Sequence, residues 1–162
     1  MVKYLKKFNS EGWEYDYSGY FDNLNKIKND FPEAIYAYAA NQENYGSLSH
    51  ESLHDAWLDV FSVTEVATGL RSEKRSLRID MSFLGAYHDL KILLSYEGVK
   101  SYGFHKNEKS TLPPHENVGH GDLLVHEFSV GDQNSIVHEM LFSSGSNLKI
   151  VFGNLIWRIG NL

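Results

Sequence analysis

The sequence predicts an α+β fold, in which two short N-terminal helices precede an antiparallel β-sheet of about six strands and pack on one face of it. The prediction rests on a change of period near residue 50: apolar residues recur with a helical period before this point and with a period of two after it. Short polar turns between the strands favour antiparallel pairing. Helices confined to one end of the chain favour α+β over α/β.

The two helices are predicted over about residues 19–30 and 32–44. In the first, four apolar side chains fall on one helical stripe: Tyr20, Leu24, Ile27 and Phe31. Pro32 ends this helix and suits the first turn of the next, where a backbone N–H is not needed. The 162 residues contain no linker and no internal repeat, so we expect a single domain, residues 1–162.

The strands are predicted from their alternation of apolar and polar residues. They cover residues 57–63, 77–83, 90–99, 123–130, 135–142 and 148–159. In the last strand the core-facing set changes, and a bulge at Gly153-Asn154 would keep both halves in the core. Gly98 marks a second expected bulge. Residues 103–121, which contain Pro113-Pro114, are predicted to form a loop.

Composition excludes several classes of function. The chain has no cysteine, which excludes a disulfide framework, an iron–sulfur cluster, a thiolate zinc site and a cysteine nucleophile. Its net charge of −6 is spread along the sequence, so we expect no nucleic-acid partner. The densest basic cluster is interpreted as a solvated hairpin turn: Arg71, Lys74, Arg75 and Arg78.

The expected location is the cytoplasm, with no membrane partner. The basic start of the chain is not followed by the apolar run of a signal peptide, and no apolar stretch is long enough to span a bilayer. Nucleotide-binding and serine-hydrolase motifs are missing from the sequence, and no cofactor is expected.

Eight histidines are the unusual feature of the composition, because histidine is the residue most used for metal ligation and for proton transfer near neutral pH. His126 and His138 share parity with apolar residues of their strands, so both should face the core. We interpret them as neutral rings that hydrogen-bond to each other, to backbone or to a tyrosine. A catalytic or ligand-binding pair is the alternative.

The shared face of these two histidines requires an odd number of residues in the loop between their strands, since a shift of one residue moves every side chain to the other face. A loop of residues 131–133 places His126 opposite His138. A loop of residues 131–135 places His126 opposite Met140. In both cases Glu127 and Glu139 share the opposite face, outside the core.

Other histidines lie beside carboxylates. His54 and Asp55, at the entry to the first strand, are predicted to cap nearby backbone amides, and a catalytic role for them is the alternative. The loop that contains His115, His120 and Asp122 offers two imidazoles and two carboxylates within eight residues. It is a candidate site for a divalent ion, although the same composition suits an ordinary surface loop.

The segment Leu53-His54-Asp55-Ala56-Trp57-Leu58 and the closing residues 148–157 resemble small uncharacterised bacterial proteins with a Leu-His-Asp signature entering the first strand. Some of those proteins look like immunity proteins of toxin systems. The resemblance implies no activity and no catalytic residue.

Small size, acidic balance and the lack of a catalytic motif favour a non-enzymatic binding protein, whose partner would be another protein. The alternative is a small metal-assisted hydrolase that uses some of the histidine and carboxylate pairs: His54, Asp55, His88, Asp89, His126 and His138.

Overall fold

The computed structural model describes residues 6–7, 15–107 and 119–162, and it confirms the α+β class and the antiparallel pairing. Two short strands, β1 (Lys6–Lys7) and β2 (Tyr15–Asp16), pair ahead of the helices. Helix α1 spans Ser18–Lys26, and helix α2 spans Glu33–Ala40. Each is followed by one turn of 3-10 helix, so the two predicted helical ranges are occupied as expected.

Eight longer strands follow and form two four-stranded sheets. They are β3 (Trp57–Thr68), β4 (Lys74–Leu84), β5 (Leu90–Val99), β6 (Ser101–His105), β7 (Leu123–Val130), β8 (Ile136–Phe142), β9 (Asn147–Phe152) and β10 (Asn154–Asn161). Sheet I has the order β10-β5-β4-β3, and sheet II the order β6-β9-β8-β7. The prediction of one sheet of about six strands was therefore wrong. Residues 103–105 of the predicted loop belong to β6, and residues 108–118 lie outside the described residues.

The chain divides into two sheets because two long strands bend at a common corner. β5 of sheet I runs through Lys100 into β6 of sheet II, and β9 of sheet II runs through Gly153 into β10 of sheet I. Gly98 has a φ of +59° and is the extra residue of a bulge, as its position in the strand pattern predicts. The corner is held by backbone hydrogen bonds from Lys100 N–H to Val151 O at 2.8 Å and from Gly153 N–H to Glu97 O at 3.1 Å.

The inner faces of the two sheets enclose the core. The ring of Tyr96 in sheet I meets the ring of Phe152 in sheet II edge to face, with centroids 4.9 Å apart. The expectation that both halves of the last predicted strand face the core holds only in part: Ile150 and Phe152 before Gly153 and Leu155 after it are buried, whereas Trp157 is 43% exposed. Each fully buried side chain of this kind stabilises the fold by roughly 1.5–3 kcal/mol.

The helices contact both sheets rather than one sheet face, which corrects the predicted packing. Tyr38 of α2 contacts Phe128 of sheet II and Trp157 of sheet I, with ring centroids 5.8 and 5.3 Å apart. The hydroxyl of Tyr20 in α1 accepts the Phe128 N–H at 3.0 Å. β7 and β10 are edge strands of their sheets. The helices contact both of these strands and so lie over the gap between the two edges. No helix among the described residues has the length and apolarity needed to cross a membrane.

Candidate functional site

His126 and His138 lie together on the inner face of sheet II, as their strand pattern predicts. The loop between β7 and β8 has an odd number of residues, pairs Val130 with Ile136, and so places His126 opposite Met140. The two rings meet across the diagonal, with Nδ1 of His126 3.0 Å from Nε2 of His138. Only 1% of His126 and 0% of His138 is exposed.

The direction of every hydrogen bond in this cluster follows from one fixed acceptor. Nε2 of His126 lies 3.2 Å from the carbonyl oxygen of Asn44, which can only accept, so this nitrogen carries a proton. Nδ1 of the neutral ring then accepts from Nε2–H of His138. Nδ1 of His138 in turn accepts from the hydroxyl of Tyr96 at 2.8 Å. Both nitrogens of both rings are therefore used inside the protein.

Burial keeps the two imidazoles neutral. Desolvation lowers the pKa of His126 to about 4, although its hydrogen bond to Asn44 opposes part of this shift. Desolvation, together with the neighbouring His126, also holds the pKa of His138 well below its usual range. Burial raises the pKa of Tyr96 well above its usual range, so its hydroxyl remains a donor.

This network joins the N-terminal helical part to both sheets. Asn44 belongs to the 3-10 turn after α2, the two histidines to sheet II and Tyr96 to sheet I. The ring of Tyr45 stacks on His126 at 4.4 Å, which adds a second contact to the helical part. Sequence reasoning missed Asn44 and Tyr96 because they lie 82 and 42 residues from their partners, and no local pattern connects them.

His54 and Asp55 lie where the chain enters β3, but the predicted capping of backbone amides was wrong. The His54 ring instead donates through Nδ1 to the carbonyl oxygen of Leu124 at 2.9 Å, and its Nε2 lies 3.6 Å from the Asp55 carboxylate. Asp55 has a φ of +59°, and its N–H donates to Leu123 O at 2.8 Å. The two residues thus connect the start of β3 to the start of β7.

The second His-Asp pair, His88-Asp89, is divided between two contacts. Asp89 accepts from Nδ1 of His50 at 2.5 Å on the surface, whereas the ring of His88 packs against Trp57 in a T-shaped contact, with ring centroids 4.5 Å apart. His50 also stacks on Tyr87 at 4.0 Å. These contacts connect the segment before β3 to the turn between β4 and β5.

Of the residues considered for a divalent ion, His115 lies outside the described residues. His120 stacks on Phe104 at 4.3 Å, while the carboxylate of Asp122 accepts from Nε1 of Trp57 at 2.5 Å. The two side chains therefore have separate partners. In residues 15–107 and 119–162 no group of three or more His, Asp and Glu side chains is arranged to hold a metal ion.

A groove of about 530 Å³ opens on the outer face of sheet I. One row of its floor crosses all four strands in register and consists of Val60, Ser82, Leu93 and Arg158. Val60 on β3 and Ile156 on β10, at opposite edges of the sheet, are 46% and 50% exposed. The volume lies within the roughly 300–1,000 Å³ typical of ligand sites.

Fixed charges flank the apolar part of this groove. The Asp80 carboxylate accepts from Nε of Arg78 at 2.8 Å and from the hydroxyl of Ser95 at 2.5 Å. Glu97 accepts from an asparagine of β10 at 2.9 Å. The guanidinium of Arg158, by contrast, has neither an ion pair nor a hydrogen bond within the described part of the chain.

The floor of the groove also contains the hydroxyl of Ser82. Ser82 is 8% exposed, and its hydroxyl has no hydrogen-bond partner among the described residues. A buried polar group without a partner is uncommon and calls for a physical explanation. Arg158 therefore offers hydrogen-bonding capacity beside the apolar side chains, whereas the Ser82 hydroxyl is covered by its neighbours. Sequence reasoning passed over this face because its residues are the solvent-facing half of an ordinary strand alternation.

Comparison with protein families, curated proteins and solved structures gives no significant match for this chain. The resemblance of residues 53–58 to immunity-type proteins therefore stays a prediction, and the outer-face groove of sheet I is a candidate site on its geometry alone.

Proposed function

We propose that this protein is a non-enzymatic binding protein that engages another protein through the outer face of sheet I. The observation that supports this proposal is the groove on that face. The exposed side chains of Val60 and Ile156 line its two edges, and it contains Arg158, whose guanidinium has no partner within the described part of the chain. Exposed apolar patches with a polar rim commonly mark interaction sites. Arginine is enriched among the residues that dominate interface energies.

The face also defines the chemistry of its partner. An apolar side chain of the partner would seat against Leu93 and Ile156. A carboxylate or carbonyl group would have to meet Arg158, because an unpaired charge is strongly destabilising once it is buried. The Arg78–Asp80 pair is already satisfied within the chain and would form part of the rim.

The specific form of this proposal is an immunity protein of a bacterial toxin system. The net charge of −6 and the resemblance carried by residues 53–58 support it. An acidic protein attracts a basic partner before contact, over distances comparable with the Debye length of about 8 Å at physiological salt. The partner would then be a toxin encoded directly upstream.

The alternative function, a small metal-assisted hydrolase, receives less support from the geometry. Both ring nitrogens of His126 and of His138 are used in the core, and Nδ1 of His54 bonds a carbonyl oxygen. Metal analysis of the purified protein tests this alternative directly. A stoichiometric divalent metal held by these residues would favour the hydrolase over the binding protein.

The binding proposal is tested by co-expressing this chain with the product of the upstream gene and measuring complex formation by size-exclusion chromatography. Ile156→Asp and Arg158→Glu should abolish the complex. Leu48→Asp is the matched control, because Leu48 is an apolar residue that is 89% exposed and lies outside the groove. Failure of the wild-type chain to bind the upstream product would refute the immunity form. Equal binding by the wild type and both groove variants would refute the proposed face.

A further inference from the structure

On one side of the long edge strand β3, most of the backbone is unpaired within residues 6–7, 15–107 and 119–162. It forms a ladder with β4 from Trp57 to Thr68, and its other side has, within the described residues, only the single bridge from Trp57 to Asp122. From Val63 onwards most of its side chains are exposed. An edge of this kind carries a row of N–H and C=O groups that can pair with another strand.

The usual protections of an edge strand are weak here. Natural proteins blunt such edges with lysine, proline, short strands or bulges. β3 has twelve residues, no lysine and no proline, and its one bulge lies near the start, between Leu58 and Val60. Its two carboxylates are each paired with a cation, Asp59 with Lys91 at 2.7 Å and Glu65 with Arg75 at 3.3 Å.

We propose that β3 pairs antiparallel with β3 of a second copy of this chain, around a twofold axis at Val63, so that the two copies of sheet I become one continuous eight-stranded sheet. Such a contact uses the same strand on both partners, as a twofold interface requires. Pairing of this type adds backbone hydrogen bonds on an existing sheet, and side-chain complementarity selects the partner.

The choice of a second copy and of this axis follows from the charges and apolar residues of β3. In a ladder centred on Val63 the numbers of paired residues add to a constant, so Val60 faces Val66 and Val63 faces itself. Glu65 then faces Phe61, and Asp59, the extra residue of the bulge, lies near Ala67, so no carboxylate meets another. The strand is therefore complementary to itself in this register.

The neighbouring registers fit less well. Centring the ladder on Ser62 brings Glu65 to the bulge at Asp59 of the other copy, twice, and like charges that approach each other across strands are destabilising. Centring it on Thr64 places Val63 opposite Glu65 and leaves Val60 opposite a threonine. The dimer at Val63 is a separate proposal from the binding function, because it uses the backbone edge of sheet I, shares only Val60 with the groove and leaves Leu93, Ile156 and Arg158 open.

Single-cysteine variants test the dimer sharply, because the natural chain contains no cysteine. Val63→Cys places two thiols at the axis and should form a disulfide-linked dimer under mild oxidation. Leu70→Cys is the control for random collision, since Leu70 is fully exposed at the tip of the β3–β4 hairpin, away from the axis. Faster cross-linking at position 63 than at position 70 supports the proposal. Equal rates, or preferential cross-linking of Thr64→Cys, would overturn it.

Light scattering after size-exclusion chromatography provides a second readout. The wild-type chain should have twice the mass of its monomer, and Val63→Lys, which brings two ammonium groups together at the axis, should halve that mass. Leu70→Lys should leave the mass unchanged. Circular dichroism shows whether each variant is folded. If Val63→Lys is unfolded, the comparison of Val63→Cys with Leu70→Cys decides the test. A wild-type chain that stays monomeric up to millimolar concentration would overturn the proposal.

Discussion

Nδ1 of His126 accepts a hydrogen bond from Nε2 of His138 at 3.0 Å, and neither ring reaches solvent. The bond can exist only while the His126 ring is neutral, because a protonated imidazole has no lone pair with which to accept. The contact between the helical part and the two sheets therefore depends on the protonation state of two buried rings.

We expect the protein to lose stability in mild acid. The pKa of His126 is about 4 in the folded state against 6.5 for an ordinary histidine, so the unfolded chain binds protons first as the pH falls. This contribution is complete above pH 6.5 and is lost as the pH falls towards 4. It amounts to roughly 3 kcal/mol for His126 alone. Urea denaturation at several pH values between 7 and 5 measures the slope before the carboxylates titrate.

The control for this acid dependence is His126→Gln, which removes the titrating ring. Its free energy of unfolding should depend less on pH over the same interval. An equally steep dependence in the variant and the wild type would show that other groups cause the acid sensitivity.

Tyr96→Phe should destabilise the protein through its histidine partner. The substitution removes the hydroxyl that donates to Nδ1 of His138 and leaves that nitrogen buried without a partner, which costs about 1–3 kcal/mol. Tyr36→Phe is the matched control, because the hydroxyl of Tyr36 donates to Asn25 at an exposed position. Urea denaturation should show a large loss for the first variant and a loss near zero for the second. Equal losses would contradict the buried network.

His54→Ala should lower the melting temperature by loosening the junction between β3 and β7. The lost hydrogen bond to Leu124 O at 2.9 Å is of the kind that contributes about 0.5–1.5 kcal/mol. His105→Ala, at an exposed position of β6, serves as the control in differential scanning calorimetry. A metal ion bound by both His54 and Asp55 would refute this structural role.

Gly98→Ala should cost about 1 kcal/mol or more, because Gly98 has a φ of +59°, a conformation that residues with a Cβ adopt with strain. The added methyl group itself has room, since its nearest neighbour is 3.9 Å away. Gly103→Ala in β6 is the matched control, with open space around the new carbon and no positive φ. The free energy of unfolding of both variants is measured by chemical denaturation. A larger loss for Gly103→Ala than for Gly98→Ala would show that the corner does not depend on backbone conformation.

The alternation of residues along the sequence correctly predicted features that depend on neighbouring residues, such as which face of a strand a side chain occupies. The parity of His126 and His138 with their apolar neighbours was enough to require an odd loop, and a shared face on sheet II followed. Glu127 and Glu139 do share the opposite face, yet Glu127 is 3% exposed. Parity identifies the face of a strand but not what lies against that face.

The features that sequence reasoning missed depend on distant parts of the chain. The glycines at positions 98 and 153 suggested bulges. The alternation of apolar and polar residues, however, continues unchanged where a strand passes from one sheet into another, so this pattern could not predict the second sheet. The groove around Arg158 forms where residues of four strands align, and only the register between those strands brings them together.

The shared corner has a consequence for how the protein unfolds. Because β5 continues into β6 and β9 into β10, each sheet contains one half of both segments, and unfolding one sheet frees the ends of two strands of the other. We expect the two sheets to behave as one cooperative unit in native-state hydrogen exchange, with amide protons of β5 and β9 exchanging at the same free energy. Partners such as Glu97 and Asn154 are far apart in the chain, so loop closure should make folding slow in comparison with helical proteins of this length.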